Sequence, residues 1–361
     1  MTSPGREIRY CRAPDGTSLA FGVAGQGPLL LALGAFATHL GLDHQHPVLR
    51  AGLAALQREF TVLRYDERGH GLSAARGRDD LATRVGDLGS VVDAAGWDRF
   101  AILAVHMGGP VGIAYAAEHP RRVSQLVLAA TFARGPALVD HSLREALLFA
   151  RLISEGWAGS ARTRRVLSAG IVPGASEETL AWLDQAQPAL GARQTLAASY
   201  WNQVTADASD RLRQVRTPTL VIHARDDLLV GLDEARRVAT AIPDARLVTF
   251  ADGGNVMPEH PSAWEPAVRE IATLVSGATR SPPPPAPGLA ALSPREWQIL
   301  ELLARGMSNP QISAQEYLSL RTVERHVSNI YGKLHLSGST SRTSAVALFL
   351  RRGAAVPPRL P

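Results

Sequence analysis

The sequence predicts an α/β domain with a mostly parallel sheet and a helical cap, followed by a small all-α domain. Three observations predict it. Short apolar runs alternate with helical patterns through the first three quarters of the chain. Five prolines crowd the segment Ser281–Gly288, SPPPPAPG, which cannot supply backbone donors and favours a stiff spacer. All of the net charge of +5 lies beyond that spacer: residues 289–361 hold nine cations against four carboxylates, and the residues before them balance. A neutral body joined to a basic module implies a polyanionic partner for the module.

Composition narrows the class. The 361 residues are 45% hydrophobic and 20% charged, which suits core-forming domains. No run is long and apolar enough to span a bilayer, and the N-terminal residues lack the apolar centre of a secretory signal. Cys11 is the single cysteine, which excludes an internal disulfide framework and a cysteine-based zinc site. The expectation is a cytoplasmic protein without a membrane partner, a cofactor or a bound metal.

The elements follow in order. Tyr10–Gly25 reads as a hairpin. Strands are expected at Leu29–Leu33, Thr61–Tyr65, Phe100–Ala104, Val123–Ala129, Pro218–His223 and Ala245–Phe250. Their near-continuous apolar character suits strands covered on both faces. Residues 134–216 hold no obvious strand and read as a helical insertion carrying Trp157, Trp182, Tyr200 and Trp201. This gives a body at 1–276, a linker at 277–288 and a C-terminal module at 289–353. The doublet Asp43-His44-Gln45-His46 has metal-like spacing but no further ligand, and reads as a solvated loop. The glycines of Arg68-Gly69-His70-Gly71 lack the lysine of a phosphate loop and read as a structural turn.

The body resembles the α/β-hydrolase family. The resemblance rests on RYDERGHGLS (64–73), AVHMGGPVGIAYAAEHPRRVSQLVL (104–128), HARDDLLV (223–230) and GGNVMPEHPSAW (253–264), which fall in the family's order. In that family a serine stands at a sharp strand-to-helix elbow flanked by small residues. Ala104-Val105-His106-Met107-Gly108 keeps the small flanks but puts His106 at the nucleophile position. Asp227 matches the acid. Val256 stands where the family has its catalytic histidine, and valine can neither take nor give a proton. Serine-type acyl transfer needs a nucleophile, an adjacent base and an orienting acid. With only the acid left, the resemblance implies that no catalytic residue remains and that the domain is not an enzyme. Chemistry rebuilt around His106 is the alternative.

What remains is a concave site of the sort that takes small, mostly apolar ligands. The resemblance implies that the Met107 amide and the segment at Ala35 and Phe36 form an oxyanion-type corner. Trp157, Trp182, Tyr200 and Trp201 of the cap are expected to close over a ligand. Val256 leaves room beside the elbow, so His106 either reaches Asp227, directly or through one water, or lines the pocket as a neutral ring.

The tail is punctuated as short helices. Ser293-Pro294-Arg295-Glu296 has the form of a capping box, and Gly306 follows the first helix. Ser308 and Ser319 cap the next two. On the third, Val323, Val327, Ile330 and Leu334 form one stripe, and Arg321, Glu324, Arg325 and Ser328 form the opposite one. LSPREWQILELLARGMSN and RTVERHVSNIYGKL resemble the LuxR-type helix-turn-helix. The resemblance implies that Glu324, Arg325 and Ser328 face bases, and that Arg321, Thr322, His326, Asn329 and Lys333 lie near phosphates. His326 reads equally as a packing residue. Gln315-Glu316 departs from the family, and a fourth helix at about 343–351 is expected to support dimerisation.

These readings combine into a transcriptional regulator. Its partners are double-stranded DNA, with a palindromic site read by a homodimer, and a small-molecule effector held in the former active site. The competing roles for the body are residual hydrolysis and a scaffold that only dimerises or recruits protein.

Overall fold

The computed structural model describes residues 7–34, 36–138, 142–250, 261–276, 292–316 and 318–334, together with 341, 342, 345, 346 and 349. The chain forms two compact units, Met1–Ala278 and Thr279–Pro361. The linker at 277–288 and most of the expected fourth helix lie outside the described residues.

The first unit opens with the expected hairpin, β1 (Arg9–Arg12) and β2 (Ser18–Gly25). There follow β3 (Leu29–Leu33), α1 (Pro47–Glu59), β4 (Thr61–Tyr65), α2 (Leu81–Ala94), β5 (Phe100–Val105), α3 (Gly109–Glu118) and β6 (Val123–Ala129). Four helices are then inserted: α4 (Leu143–Gly156), α5 (Ala161–Ile171), α6 (Glu177–Leu190) and α7 (Arg193–Val204). The sheet resumes with β7 (Thr219–Ala224), α8 (Leu232–Ala241), β8 (Arg246–Phe250) and α9 (Pro261–Val275). Strand order is β1-β2-β4-β3-β5-β6-β7-β8. The first two pairings are antiparallel and the rest parallel.

Alternation across two buried faces explains the near-continuous apolar strands. Leu31, Leu33, Ile102, Ala104, Leu126 and Leu128 pack toward α2, α3 and α8. Leu30, Ala101, Leu103, Val127, Leu220 and Ile222 pack toward α1 and α9. Pro218 falls outside β7 because it has no N–H. It contributes only its carbonyl, which accepts from Leu126 N–H at 3.0 Å.

A buried polar network ties the cap to the sheet. Glu67 Oε2 accepts from Arg84 Nη1 at 2.7 Å and from Gln203 Nε2 at 2.6 Å. Arg84 Nη2 donates to Ser199 Oγ at 2.9 Å, and His70 Nε2 lies 2.7 Å from the same hydroxyl. Gly69 sits at φ +74° in this turn, where a Cβ would lie 2.2 Å from Thr195 Cγ2 of α7. The glycine is therefore needed both for its left-handed backbone and for the close approach of the cap.

The second unit contains α10 (Pro294–Ala304), α11 (Asn309–Gln315) and α12 (Leu320–Lys333). Ser293 and Glu296 form the expected capping box, Ser308 forms a second one with Gln311, and Ser319 accepts from Thr322 N–H. Leu300, Leu303, Ile312, Val323, Val327, Ile330 and Leu334 meet in its core.

The elbow between β5 and α3 is a tight junction. A Cβ on Gly109 would stand 1.9 Å from Thr131 Oγ1 and 2.6 Å from the Phe132 carbonyl. Gly109→Ala is expected to cost about 1–3 kcal/mol through forced backbone and side-chain shifts. A lowered urea midpoint with an unchanged denaturant slope checks this.

Candidate functional site

β5 ends in one tight turn, His106–Gly108, before α3 begins. His106 takes φ +46°, a left-handed conformation that is costly for a residue with a Cβ. Thr131 Oγ1 donates to the His106 carbonyl and fixes the turn from β6. Small residues let it pack: a Cβ on Gly108 would come 2.9 Å from Leu33 Cβ of the neighbouring strand. The strained elbow geometry is thus retained around a histidine. The His106 side chain is buried and lines a cavity above the C-terminal ends of the strands.

The acid position behaves differently from expectation. Asp227 Oδ1 accepts from Leu229 N–H at 2.9 Å and from Val230 N–H at 2.8 Å. Its other oxygen, Oδ2, is buried without a hydrogen-bond partner. Among the described residues no direct hydrogen bond or ion pair joins Asp227 to His106, so of the placements the sequence left open the direct contact is not formed. The physical reason is local: the carboxylate turns back to satisfy the amides of its own loop. Ala35 and Val256 lie outside the described residues.

The cavity has a volume of about 440 Å³, within the range of small-molecule sites. Phe36, His106 and Met107 form part of its floor, Phe149, Trp182 and Tyr200 come from the cap, and Leu228, Leu229 and Val230 from the acid loop. Of the four cap aromatics singled out in the sequence, Trp182 and Tyr200 line the cavity. Trp157 and Trp201 do not line it. Trp157 is 1% exposed and donates its indole N–H to the Gln187 carbonyl at 2.8 Å, which makes it the centre of the cap's own core. Trp201 packs with Ala137, Ala146 and Val204.

Sequence reasoning missed Thr38, His39 and His46, all of which line the cavity. Asp43-His44-Gln45-His46 is not simply a solvated loop. Asp43 is buried in an ion pair with Arg64, and His46 caps α1, with Nδ1 accepting from Val48 N–H at 3.2 Å and Leu49 N–H at 3.4 Å. The signal was a polar residue before Pro47 at a helix start, which marks an N-cap. Burial holds His46 down to about 4, with the nearby Arg64 adding to the effect of burial against the opposing pull of Asp43. Burial likewise lowers His70 to about 3. Tyr200 is pushed up to about 12 by burial and by the charge of Glu145 at the cavity wall.

In the second unit α12 presents the expected polar face. Arg321, Glu324, Arg325, Ser328 and Asn329 are exposed, while Thr322 and His326 are half-buried. Thr322 Oγ1 is 2.8 Å from Ser319 Oγ, within the helix cap. His326 Nδ1 is buried without a partner, which leans its ring toward packing. Lys333 donates to Glu296 Oε2 at 2.7 Å, and Arg295 pairs with Glu316 at 2.7 Å. Burial alone would raise Glu296, but the Lys333 ammonium and the Ser293 donors outweigh it and hold the carboxyl below its ordinary value. Arg321 and Arg325 make no ion pair among the described residues. The unfamiliar Glu316 is thereby explained as the acceptor that also takes Gln298 Nε2 at 2.8 Å and joins α10 to α11. Leu320, 43% exposed at the start of α12, adds an apolar group to this face that the polar-stripe pattern did not flag.

Comparison with known proteins agrees with both units. The family described as serine aminopeptidase, S33, matches residues 41–254. Bacterial regulatory proteins of the luxR family match residues 290–349. The chain belongs to the α/β-hydrolase family and carries a luxR-family DNA-binding domain. RutD of Klebsiella pneumoniae is 31% identical over 215 residues, covering 56% of this chain and 77% of its own. A pimeloyl-[acyl-carrier protein] methyl ester esterase of Nitrosomonas europaea is 29% identical, covering 66% of this chain and 92% of its own. A hydrolase from Pseudomonas aeruginosa of known structure superposes with a TM-score of 0.55 at 30% identity, covering 74% of this chain and 97% of its own. The similarity reaches hydrolases, and the elbow histidine stands within it. No helix among the described residues is long and apolar enough to cross a membrane.

Two histidines of the hydrolase unit with lowered pKa, His46 and His70, make its stability depend on pH. Both titrate below the unperturbed 6.5, to about 4 for His46 and about 3 for His70, so in the intervening range the unfolded chain holds the extra protons. Their contribution is complete above pH 6.5 and is lost progressively as pH falls toward those folded values. Each histidine contributes a slope of about 1.4 kcal/mol per pH unit within its window. Urea midpoints measured at pH 7.5 and 5.5 are expected to fall with pH, and to fall less in a His46→Asn, His70→Gln double variant.

Proposed function

We propose that the chain is a transcriptional regulator, working in the cytoplasm, whose hydrolase-fold domain has given up catalysis and binds a small effector. The observation that carries this reading is the cavity of about 440 Å³ built over an elbow that keeps its strained turn but offers His106 in place of a hydroxyl. Asp227 Oδ1 is engaged by its own loop, and no direct hydrogen bond joins this carboxylate to the His106 ring among the described residues, which supports the reading. The effector changes DNA affinity to the extent that it binds the DNA-competent and the other state unequally. The luxR-family domain supports a reading in which a homodimer binds a palindromic site.

At the DNA face, Glu324, Arg325 and Ser328 read base edges, while Arg321 and Asn329 meet phosphates. Leu320 is placed to meet a thymine methyl. Thr322, His326 and Lys333 support this face from its margin, Lys333 as the clamp on Glu296. A second reading, in which the domain still hydrolyses a substrate, has the named activity of its esterase relative in its favour.

One measurement tests the DNA face and a second separates the two readings of the hydrolase domain. Arg325→Ala is expected to lower affinity for the preferred DNA site by ten-fold or more and to relax base preference at one position, whereas Arg321→Ala weakens all sequences and reduces the salt slope by about one. Binding curves at several salt concentrations report both. Wild type is expected to leave p-nitrophenyl acetate unhydrolysed above background, while His106→Ser with Val256→His gains turnover. Efficient wild-type turnover lost in Asp227→Ala would establish the enzyme reading instead.

A further inference from the structure

The polar groups around the cavity say which kind of molecule it accepts. Among the described residues no lysine or arginine lines it. The sequences at 139–141 and 251–260 contain none either. The Arg64 guanidinium is already neutralised by Asp43, which itself is on the cavity wall, and Glu145 adds a negative charge there. An anionic ligand would enter a mostly apolar space without a lysine or arginine to pair with, which is costly.

The same wall offers neutral donors. His46 Nδ1 accepts from Val48 and Leu49 N–H, so its proton sits on Nε2. His39 Nδ1 accepts from Gly41 N–H at 3.1 Å, which likewise commits that nitrogen to accepting. No hydrogen bond joins Nε2 of either ring to another described residue. Thr38 Oγ1 is buried and has no hydrogen-bond partner. The His46 ring packs against Trp182 at a centroid distance of 4.5 Å, so its orientation is held from two sides.

We propose that the cavity selects an uncharged, mostly apolar molecule carrying a carbonyl or ether oxygen, and that His46 Nε2–H, packed on Trp182, is the donor that binds this oxygen. The proposal rests on the ligand-binding reading above and adds the chemical class and the residue that sets it. His46 thereby has two roles: Nδ1 terminates α1, and Nε2 reads the ligand.

Three matched probes test it in the full-length protein at pH 7.5 by titration calorimetry: methyl 2-naphthoate, 2-naphthoate and 2-methylnaphthalene. The ester is expected to bind at least ten-fold more tightly than the carboxylate. His46→Ser keeps a residue that caps helices but removes the Nε2–H donor. It is expected to weaken the ester about ten-fold and the hydrocarbon less than two-fold. The hydrocarbon serves as the control for a merely altered cavity shape. Carboxylate binding as tight as the ester, no ester binding, or equal losses for ester and hydrocarbon in His46→Ser overturns the proposal. Binding to the operator DNA is measured beside it. Ester binding that leaves DNA affinity unchanged removes the sensor role but not this selectivity. A carboxylate that binds more tightly and shifts DNA affinity does the reverse.

Discussion

The left-handed turn at His106 is the constraint around which the hydrolase unit is arranged. A residue with a Cβ holds φ +46° there because its surroundings leave no alternative. The Thr131 hydroxyl takes the carbonyl, Gly108 lets the turn press on Leu33, and Gly109 lets α3 start against Thr131 and the Phe132 carbonyl. The three parallel strands β3, β5 and β6 are thereby locked at their C-terminal ends. The strained turn fixes part of the floor of the cavity, with a histidine on it.

The cap adds the second half of the cavity and is held from below by charge. Arg84 bridges Glu67 and Asp79, each at 2.7 Å, and both Ser199 and Gln203 of α7 join that network. Burying an ion pair gains little unless its remaining hydrogen-bonding capacity is satisfied, and here the cap supplies part of that. α7 is consequently the fixed side of the cap, and it brings Tyr200 to the cavity wall. The lining is mainly aromatic and aliphatic, and among its polar groups His39 and His46 are oriented by backbone N–H donors.

The DNA-binding unit separates its cations by task. Arg295 and Lys333 are spent on Glu316 and Glu296, and hold helices together. Arg321 and Arg325 remain on the exposed face of α12. Net charge therefore overstates how many groups are available to phosphate, and the helix face is a better guide than the total.

Much of the framework was legible in the residues. Strands buried on both faces are apolar throughout, so Leu29–Leu33, Thr61–Tyr65 and Val123–Ala129 appear where they were read. Capping boxes are local, so Ser293–Glu296 was legible as well, and the small residues around His106 marked the elbow. Other features depend on partners far along the chain. Nothing near Trp157 indicates that its indole meets Gln187, or that Asp43 finds Arg64 and leaves His46 on the cavity wall. Asp227 matched a motif, yet its carboxylate bonds are decided by the amides its own loop presents. Sequence alone determined the two domains, the elbow and the amphipathic helix α12, because periodicity and caps act over a few residues. Tertiary structure alone decided which aromatic, histidine and charged groups meet at the cavity, because those encounters depend on how separate elements pack.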